Sequence, residues 1–475
     1  MTLRLTIAAL LIATGFFAKA QKPEDVYRRD LEGVLKDIEK QYNVTLKYDD
    51  RNVKDKKVEF ANWRFTSEVK TTLDNILRPL DLIYKETGKN AFSITGYDYY
   101  RRSEAEGKKH LEQLLASYST ADAFNKRKAD LRKCISSALG ISLNAERTPL
   151  NPIFRQKITM DGYTVENVAF ESIPGYYVTG TLYRPLKGNG PFPVVLNPHG
   201  HFFNEQDPPS PKDSSRYRAD MQIRCASLAR MGAIALSYDM YSWGESAAMS
   251  GSMAYHDMSF AASIQTWNSI RALDFLLSLP GADKTKVGVT GASGGGTQTF
   301  LLAALDDRVT VSVPVVMVSS AFYGGCACES GLPIHDVCNG YKTNNTEIAA
   351  MIAPRPLMVI SDGDDWTTSV PGTDYPYLQK LFTLYGKKEN VESVYLPNDK
   401  HDYGITKRTP AYKFLAKHLG LNLPAITAKD GSINEKGITI QSNKELRVFD
   451  SSPLPPNALR SHDAIVKRFR EVHKQ

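Results

Sequence analysis

The chain has 475 residues, of which 42% are hydrophobic and 23% are charged. These proportions are typical of a globular protein, and they exclude a collagenous, coiled-coil or intrinsically disordered chain. The formal net charge of +7 results from 59 Lys and Arg residues against 52 Asp and Glu residues, and no basic tract alternates with aromatic residues. Nucleic acid is therefore not an expected partner.

The first twenty residues have the pattern of a cleavable signal peptide. Arg4 precedes an apolar run over 5–17, which ends in the small-residue pattern Ala-Lys-Ala at 18–20 that signal peptidase recognises. Cleavage there gives a mature chain that begins at Gln21. The run is short for a membrane-spanning helix, and no later run reaches the ~18 apolar residues that such a helix needs. We expect an exported bacterial protein, periplasmic or secreted, that does not span the membrane; an uncleaved anchor is the alternative.

Residues 21–97 predict a small α+β domain. Its predicted elements, in chain order, are a helix over 31–38, strands over 44–48 and 58–60, a helix over 67–79, and a hairpin of strands 82–84 and 92–94. This order resembles the short secretin/TonB N-terminal domain of bacterial envelope proteins. The resemblance implies an envelope protein partner, and the alternative is an accessory domain that only packs against the rest of the chain.

The segment 98–148 is charged, with apolar residues at helical spacing, and we predict a helical linker there. In the body that follows, over 149–422, helical stretches alternate with near-continuous apolar runs at 194–196, 233–236, 287–289, 309–316 and 357–360. Strands buried on both faces have this composition. The pattern predicts an α/β fold with a doubly wound, mostly parallel sheet. Residues 423–475 are polar and punctuated by proline, so we expect a surface extension with one strand at 437–440.

The segment 291–295, Gly-Ala-Ser-Gly-Gly, has the Gly-x-Ser-x-Gly pattern of a nucleophile elbow. It follows an apolar run and precedes a helical pattern, which is the strand–turn–helix context that the motif requires. The turn is so tight that the positions two residues either side of the serine lack room for a Cβ, a requirement met by Gly291 and Gly295. Ser293 is the candidate nucleophile, and a chance Gly/Ser-rich turn is the alternative.

A nucleophilic serine requires a base, and the base requires an orienting acid. The acid candidates, Asp362, Asp364 and Asp365, cluster after the apolar run 357–360. His401 is the base candidate because it follows a predicted strand by a short loop, whereas His418 lies in a helical stretch where packing is expected. The resulting chain order of serine, acid and histidine is the order of α/β-hydrolases.

Acyl transfer also needs two backbone N–H groups aimed at the carbonyl oxygen on which charge develops. The amide of Gly294, directly after the candidate nucleophile, is one of them. The segment His-Gly-His at 199–201 follows a predicted strand and is the expected source of the other. His199 and His201 also resemble the metal-binding pair of amidohydrolases, but carboxylate and histidine partners at a suitable spacing do not follow them.

The five cysteines are an odd count, which leaves at least one free thiol. Cys326, Cys328 and Cys338 are close in sequence, so we predict a local disulfide from Cys338 to Cys326 or Cys328. A zinc site with His335 as fourth ligand is the alternative, although the Cys-x-Cys spacing is tighter than that of most structural zinc sites.

The body resembles the α/β-hydrolase superfamily, and within it the acetyl xylan esterase and deacetylase-like enzymes of polysaccharide-degrading bacteria. The segments that carry the resemblance are Phe-Glu-Ser-Ile-Pro-Gly-Tyr-Tyr-Val-Thr-Gly-Thr-Leu-Tyr-Arg-Pro at 170–185, Tyr-Asp-Met-Tyr-Ser-Trp-Gly-Glu-Ser at 238–246, Gly-Gly-Cys-Ala-Cys-Glu at 324–329 and Ser-Asp-Gly-Asp-Asp-Trp-Thr at 361–367. It implies that Asp365 is the acid, with Asp362 and Asp364 as solvated turn residues. It also implies that the His201 amide is the second oxyanion donor.

The activity implied by the resemblance is hydrolysis of an acetyl group, or a similar small ester, on a plant polysaccharide or oligosaccharide. No metal or organic cofactor is required for it. Trp243 and Trp366 lie on loops of the predicted catalytic face, where they either stack on sugar rings or pack as core aromatics. The alternatives are a serine exopeptidase on the same fold and a non-catalytic envelope binding or signalling protein.

Overall fold

The structure is a computed structural model, and it describes residues 28–77, 80, 82–96, 102–202, 215–330, 334–337, 341–449 and 453–474. The predicted signal peptide and Cys338 lie outside the described residues. The chain divides into two compact units, Met1–Asp98 and Tyr99–Gln475. None of the described helices is both long enough and apolar enough to cross a bilayer.

The first unit is a small α+β fold with a core of its own. Its described elements are β1 (Arg28–Asp30), α1 (Leu31–Tyr42), β2 (Thr45–Tyr48), α2 (Asp50–Val53), β3 (Lys57–Glu59), a 3-10 helix (Ala61–Arg64), α3 (Val69–Leu77), β4 (Leu82–Gly88) and β5 (Ala91–Gly96). β2, β5 and β4 form one sheet in that order, and β1 pairs with β3. Buried residues at helical spacing, such as Leu31, Leu35 and Ile38, pack α1 against the sheet. The predicted helices and strands of this region are confirmed, and β1 and α2 are additions.

The second unit is built around a large central sheet. Its strands are β6 (Ile153–Thr159), β7 (Tyr163–Ile173), β8 (Tyr176–Pro185), β9 (Phe192–Pro198), β10 (Ile234–Tyr238), β11 (Ala282–Ala292), β12 (Val311–Val315), β15 (Leu357–Asp362) and β16 (Val391–Leu396), and a separate pair is formed by β13 (Asp336–Val337) and β14 (Tyr341–Lys342). In the described chain the nine-stranded order is β16-β15-β12-β11-β9-β10-β8-β7-β6. The strands from β16 to β10 are parallel, and β8, β7 and β6 continue antiparallel.

Helices cover both faces of this sheet. Those described are α4 (Glu104–Ser117), α5 (Ala121–Ala138), α6 (Ala219–Arg230), α7 (Ala247–Ser250), α8 (Ser259–Ser278), α9 (Gly294–Leu305), α10 (Ala327–Ser330), α11 (Asn345–Ala350), α12 (Tyr375–Leu384), α13 (Ile405–Leu419) and α14 (His462–His473). Along β9, Val194 and Leu196 enter the core beneath α8 and α9, whereas Val195 enters the core beneath α6 and α13. The alternation explains the continuous apolar runs, because both faces of each central strand are buried. The predicted α/β fold with a mostly parallel sheet is confirmed.

Two predictions about the segments that flank the body are wrong. The helices α4 and α5 are not a linker, because Leu111, Phe124 and Leu131 are buried in the same core as β9. The predicted strand at 437–440 is absent from the described extension, which instead ends in α14. Ile465 and Phe469, four residues apart on one face of α14, are buried in that core.

Candidate active site

Ser293 lies on a tight turn between β11 and α9. Its φ of 56° and ψ of −126° are a conformation that costs a non-glycine residue on the order of 1–3 kcal/mol. A Cβ on Gly291 would lie 2.5 Å from the carbonyl oxygen of Pro198, and a Cβ on Gly295 would lie 2.3 Å from the same oxygen. Both flanking positions therefore require glycine, and the end of β9 lies directly against the turn.

The loop after β9 borders Ser293. A Cβ on Gly200 would lie 2.9 Å from the Cβ of Ser293, so the 199–201 backbone lies beside the serine side chain. His199 is buried, and both of its ring nitrogens are occupied: Nδ1 donates to the Gly200 carbonyl at 3.1 Å, and Nε2 accepts from the Met240 amide at 3.1 Å. Burial lowers the pKa of His199 to about 4, so the ring is neutral at pH 7. Neither nitrogen is available to a metal, and the amidohydrolase-like pairing with His201 does not form.

His401 and Asp365 meet at the same edge, where β15 and β16 end. His401 Nδ1 lies 2.5 Å from Asp365 Oδ2, and Asp365 Oδ1 accepts the N–H and O–H of Thr367 at 2.6 and 2.5 Å. The ring of Phe202, which follows the loop that borders Ser293, lies 5.6 Å from the His401 ring. No hydrogen bond joins His401 to Ser293 in the part of the chain that is described; such contacts often tighten only when substrate is bound.

Asp362 is not the solvated turn residue that the sequence predicts. It is fully buried, and the ammonium of Lys407, also fully buried, lies 3.2 Å from its Oδ2. Burial raises the pKa of Asp362, the nearby charge of Asp365 raises it further, and Lys407 opposes both effects. The same ammonium donates to the Lys400 carbonyl at 2.6 Å and to Asp402 at 3.1 Å. Lys407 therefore ties the acid turn to the loop that carries His401.

The two candidate tryptophans occupy different environments. Trp243 is only 6% exposed and packs against the rings of His201 and His256, at centroid distances of 5.3 and 4.8 Å. Trp366 is partly exposed, stacks on Phe322 at 3.9 Å and lies 4.8 Å from the His401 ring. Trp366 is thus the better placed of the two to contact a substrate, and Trp243 packs beneath the catalytic face.

A second histidine–carboxylate pair lies beside the elbow, and sequence reasoning gave it no role. His201 Nδ1 is 3.2 Å from Glu329 Oε1, and His201 Nε2 is 2.6 Å from Nε2 of His256. Burial alone would raise the pKa of Glu329, but the hydrogen bond and charge of His201 and the N–H of Gly325 lower it on balance. The motif at 324–329 contained Glu329, but nothing in the sequence indicated its partner.

The cysteine pairing differs from the prediction. Cys326 and Cys328 form a disulfide with each other, at a Cα–Cα distance of 5.2 Å that suits such a bond. Cys134 is also disulfide-bonded, and Cys225 is a free, buried thiol, as the odd count requires. The zinc alternative fails because the two sulfurs are not thiolates and because His335 Nε2 lies 2.6 Å from the amide oxygen of Asn345.

The loop after β10 is fixed by buried charges. Arg216, with no exposed surface, contacts Asp239 at 2.9 Å and Glu245 at 2.9 Å. Its guanidinium also donates to the carbonyl of Leu446 at 2.8 Å. Glu245 accepts the amide N–H of Val448 at 2.9 Å and that of the next residue at the same distance. The 446–449 segment is consequently a structural part of the catalytic face.

Comparison with known proteins identifies the family. Residues 143–328 match the family described as acetyl xylan esterase (AXE1). The solved structure of Methylesterase BT1017 is 38% identical to the chain, has a TM-score of 0.70, and the match covers 94% of this chain and 98% of that one. The chain belongs to the acetyl xylan esterase family. Its members are α/β-hydrolases that cleave carboxylic esters, so the predicted enzyme class is confirmed and the non-catalytic alternative is set aside.

Two curated relatives have a lower sequence identity to this esterase than Methylesterase BT1017 has. The hydrolase YtaP of Bacillus subtilis (strain 168) is 25% identical over 213 residues, which is 43% of this chain and 69% of the relative. The 4-O-methyl-glucuronoyl methylesterase of Hypocrea jecorina (strain QM6a) is 24% identical over 278 residues, which is 52% of this chain and 55% of the relative.

Proposed function

We propose that the protein hydrolyses an ester on a carbohydrate through Ser293, with His401 as base and Asp365 as the orienting acid. The observation that carries the proposal is the 2.5 Å contact of His401 Nδ1 with Asp365, at the sheet edge where Ser293 occupies the elbow. Because Asp365 accepts the Nδ1 proton, the neutral ring of His401 has its lone pair on Nε2, which is the nitrogen that a general base uses.

In the proposed reaction, Ser293 Oγ bonds to the ester carbonyl carbon while its proton passes to His401 Nε2. The amides of Gly294 and His201 stabilise the negative charge on the carbonyl oxygen. The bond to the alcohol oxygen then breaks, and the alcohol leaves with the proton from His401. Water attacks the acyl-enzyme by the same route, which releases the carboxylic acid and restores Ser293.

The methyl ester of a sugar acid is the substrate class that we place first. One relative is named a methylesterase and matches nearly the whole chain, and another is named a 4-O-methyl-glucuronoyl methylesterase. In such a substrate the sugar is the acyl part and methanol is the leaving group. An acetyl ester on a plant polysaccharide or oligosaccharide is the second candidate, which the description of the matching family favours.

The test compares wild type, S293A and the control S278A, whose serine is exposed at the end of α8. Substrates are a methyl-esterified uronate oligosaccharide, an acetylated xylo-oligosaccharide and an aminoacyl nitroanilide. We expect ester cleavage by wild type and S278A, no nitroanilide cleavage, and a loss of about 10⁶-fold in S293A. A folded S293A protein with a tenth of the wild-type rate would refute the serine mechanism. The faster of the two ester substrates decides the substrate class, and nitroanilide cleavage would point to the exopeptidase.

We also propose that the protein is exported and that its mature chain begins at Gln21. The sequence pattern over 4–20 supports this. Sequencing the N-terminus of protein recovered from the periplasm or medium of an expressing bacterium tests it, and retention of residues 1–20 there would contradict it.

A further inference from the structure

Three ionisable side chains form a cluster against the residue that follows the nucleophile. His201 lies between Glu329, at 3.2 Å from its Nδ1, and His256, at 2.6 Å from its Nε2. A Cβ on Gly294 would lie 3.1 Å from Oε1 of Glu329 and 3.1 Å from Cε1 of His201. The cluster therefore borders the amide assigned to the oxyanion, and the proposed triad makes no use of it.

The position of one proton in the cluster follows from His256. This residue is 1% exposed, and its Nδ1 lies 2.6 Å from the carbonyl oxygen of Tyr241. A carbonyl only accepts, so Nδ1 carries a proton. Burial lowers the pKa of His256 well below its ordinary value, so the ring is neutral and its Nε2 is an acceptor. Nε2 of His201 must then carry a proton to make the 2.6 Å contact.

The other nitrogen of His201 faces a carboxylate. Glu329 is 4% exposed, and its second oxygen accepts the backbone N–H of Gly325, which favours the ionised form. An ionised carboxylate only accepts, so Nδ1 of His201 also carries a proton. Protonation of both nitrogens makes the ring an imidazolium.

We infer that His201 carries a proton on both ring nitrogens, as an imidazolium held between Glu329 and His256, and that its charge cancels the negative charge of Glu329 beside the oxyanion site. The inference rests on the proposed serine mechanism and adds a positioning residue to it. A carboxylate left uncompensated a few ångströms from the reacting carbonyl would oppose the charge that forms there. Coulomb's law at protein-like dielectric puts the effect at about tenfold to a hundredfold in rate.

The other two histidines near the cluster do not supply this positive charge. His199, on the same loop, is neutral because burial lowers its pKa to about 4. His256 is already neutral, and the Cys326–Cys328 disulfide does not titrate. Across the site, the imidazole of His401 also acts electrostatically on Glu329.

The test is a double-mutant cycle with H201Q, E329Q and the double variant, assayed on a small soluble ester. H201Q keeps the backbone amide but leaves Glu329 uncompensated, so kcat should fall about tenfold to a hundredfold. The double variant lacks the carboxylate and should be at least about tenfold faster than H201Q. A double variant no faster than H201Q would overturn the inference, since packing alone would then explain the loss.

A spectroscopic measurement on the unmodified protein tests the same inference without a folding risk. Imidazole ¹⁵N NMR at pH 7 should find both ring nitrogens of His201 protonated in wild type and one of them unprotonated in E329Q. A singly protonated His201 in wild type would overturn the inference. Retained activity in S293A would instead overturn the serine mechanism, and the NMR result does not depend on that outcome.

Discussion

Asp362 and Asp365 stand three residues apart on one turn but have different partners. Asp365 accepts from His401 and from Thr367, whereas Asp362 is buried against the ammonium of Lys407. The first contact orients the proposed base, and the second holds the turn in place. Substitutions at the two positions should therefore affect different quantities.

We predict that D365N lowers kcat by roughly 10⁴-fold, because an amide at this position favours the wrong tautomer of His401. D362N should lower the melting temperature while kcat stays within about tenfold of wild type, because the buried ammonium keeps Asp402 and a carbonyl as partners. Steady-state kinetics and thermal unfolding on both variants check this. If D362N were the catalytically sensitive variant, the acid would be placed at the wrong residue.

Lys407 provides a second test of the buried contacts around the acid turn. We predict that K407M lowers kcat and destabilises the protein by about 3–5 kcal/mol, because removing the ammonium leaves carboxylates uncompensated in the interior. The matched control is K417M on the same helix, whose lysine side chain is 58% exposed and pairs with Glu392; a surface change of this kind should stay within about 0.5 kcal/mol. Urea unfolding of both variants tests this prediction, and equal losses of stability in K407M and K417M would contradict it.

The contact of His401 with Asp365 was predicted from the sequence, whereas the buried partners of Asp362 and Glu329 were not. Ser293 and His401 each follow a strand by a short turn or loop, and this local pattern can be recognised from neighbouring residues in the sequence. The contacts of Asp362 with Lys407 and of Glu329 with His201 join loops that are distant along the chain. Such pairs depend on how the loops meet at the sheet edge, so no spacing rule predicts them.

At the scale of elements, the elbow depends on how closely α9 approaches the end of β9. We predict that G295A lowers kcat at least a hundredfold and destabilises the protein by about 3 kcal/mol or more, because its Cβ would lie 2.3 Å from the backbone oxygen of Pro198. G372A is the control, since nothing lies within 4 Å of a Cβ at that position. Kinetics and thermal unfolding check both, and wild-type behaviour of G295A would contradict the packing argument.

The elements themselves were predicted to different degrees. The central strands could be predicted from continuous apolar runs, because both of their faces are buried. The amphipathic spacing over 104–138 predicted helices, but it did not reveal that Leu111 and Phe124 would enter the core of the second unit. The helix α14 escaped prediction because its buried stripe, including Ile465 and Phe469, is short and surrounded by charge.

For the whole molecule, the distribution of histidines predicts an acid-sensitive second unit. All nine histidines lie after residue 98, and burial lowers the pKa of His199 and of His335 from 6.5 to about 4. Because the unfolded chain binds these protons more readily than the folded chain, the stabilisation is complete above about pH 6.5 and is lost as the pH falls toward 4. Each such group contributes a slope of up to about 1.4 kcal/mol per pH unit.

The measurement is urea unfolding between pH 7 and 5, monitored by tryptophan fluorescence, since three of the four tryptophans lie in the second unit. The midpoint should fall with pH, and H335Q should show a shallower fall than wild type. A pH-independent midpoint in wild type would contradict the prediction.

The division into two units predicts that the first is dispensable for cleavage of a small ester. Each unit has its own core, and every residue of the proposed site lies between His199 and His401. A chain that starts near Tyr99 should keep kcat on a small soluble ester within about threefold. Activity on insoluble polysaccharide, or association with an envelope protein, is where we expect the first unit to matter. Loss of small-ester activity in a folded truncated protein would contradict this.

The anchoring of the loop after β10 by the 446–449 segment has a consequence for biosynthesis. A ribosome delivers the chain from its N-terminus, so β10, the elbow and the acid turn all emerge before Leu446 and Val448 can bind Arg216 and Glu245. Until then the loop has its ion pairs with Arg216 but lacks the contacts with the 446–449 segment, although Ser293 is already on its turn. We expect catalytic competence to appear late, only after residue 449 has been added, so that a nascent chain does not hydrolyse esters while it is still being made.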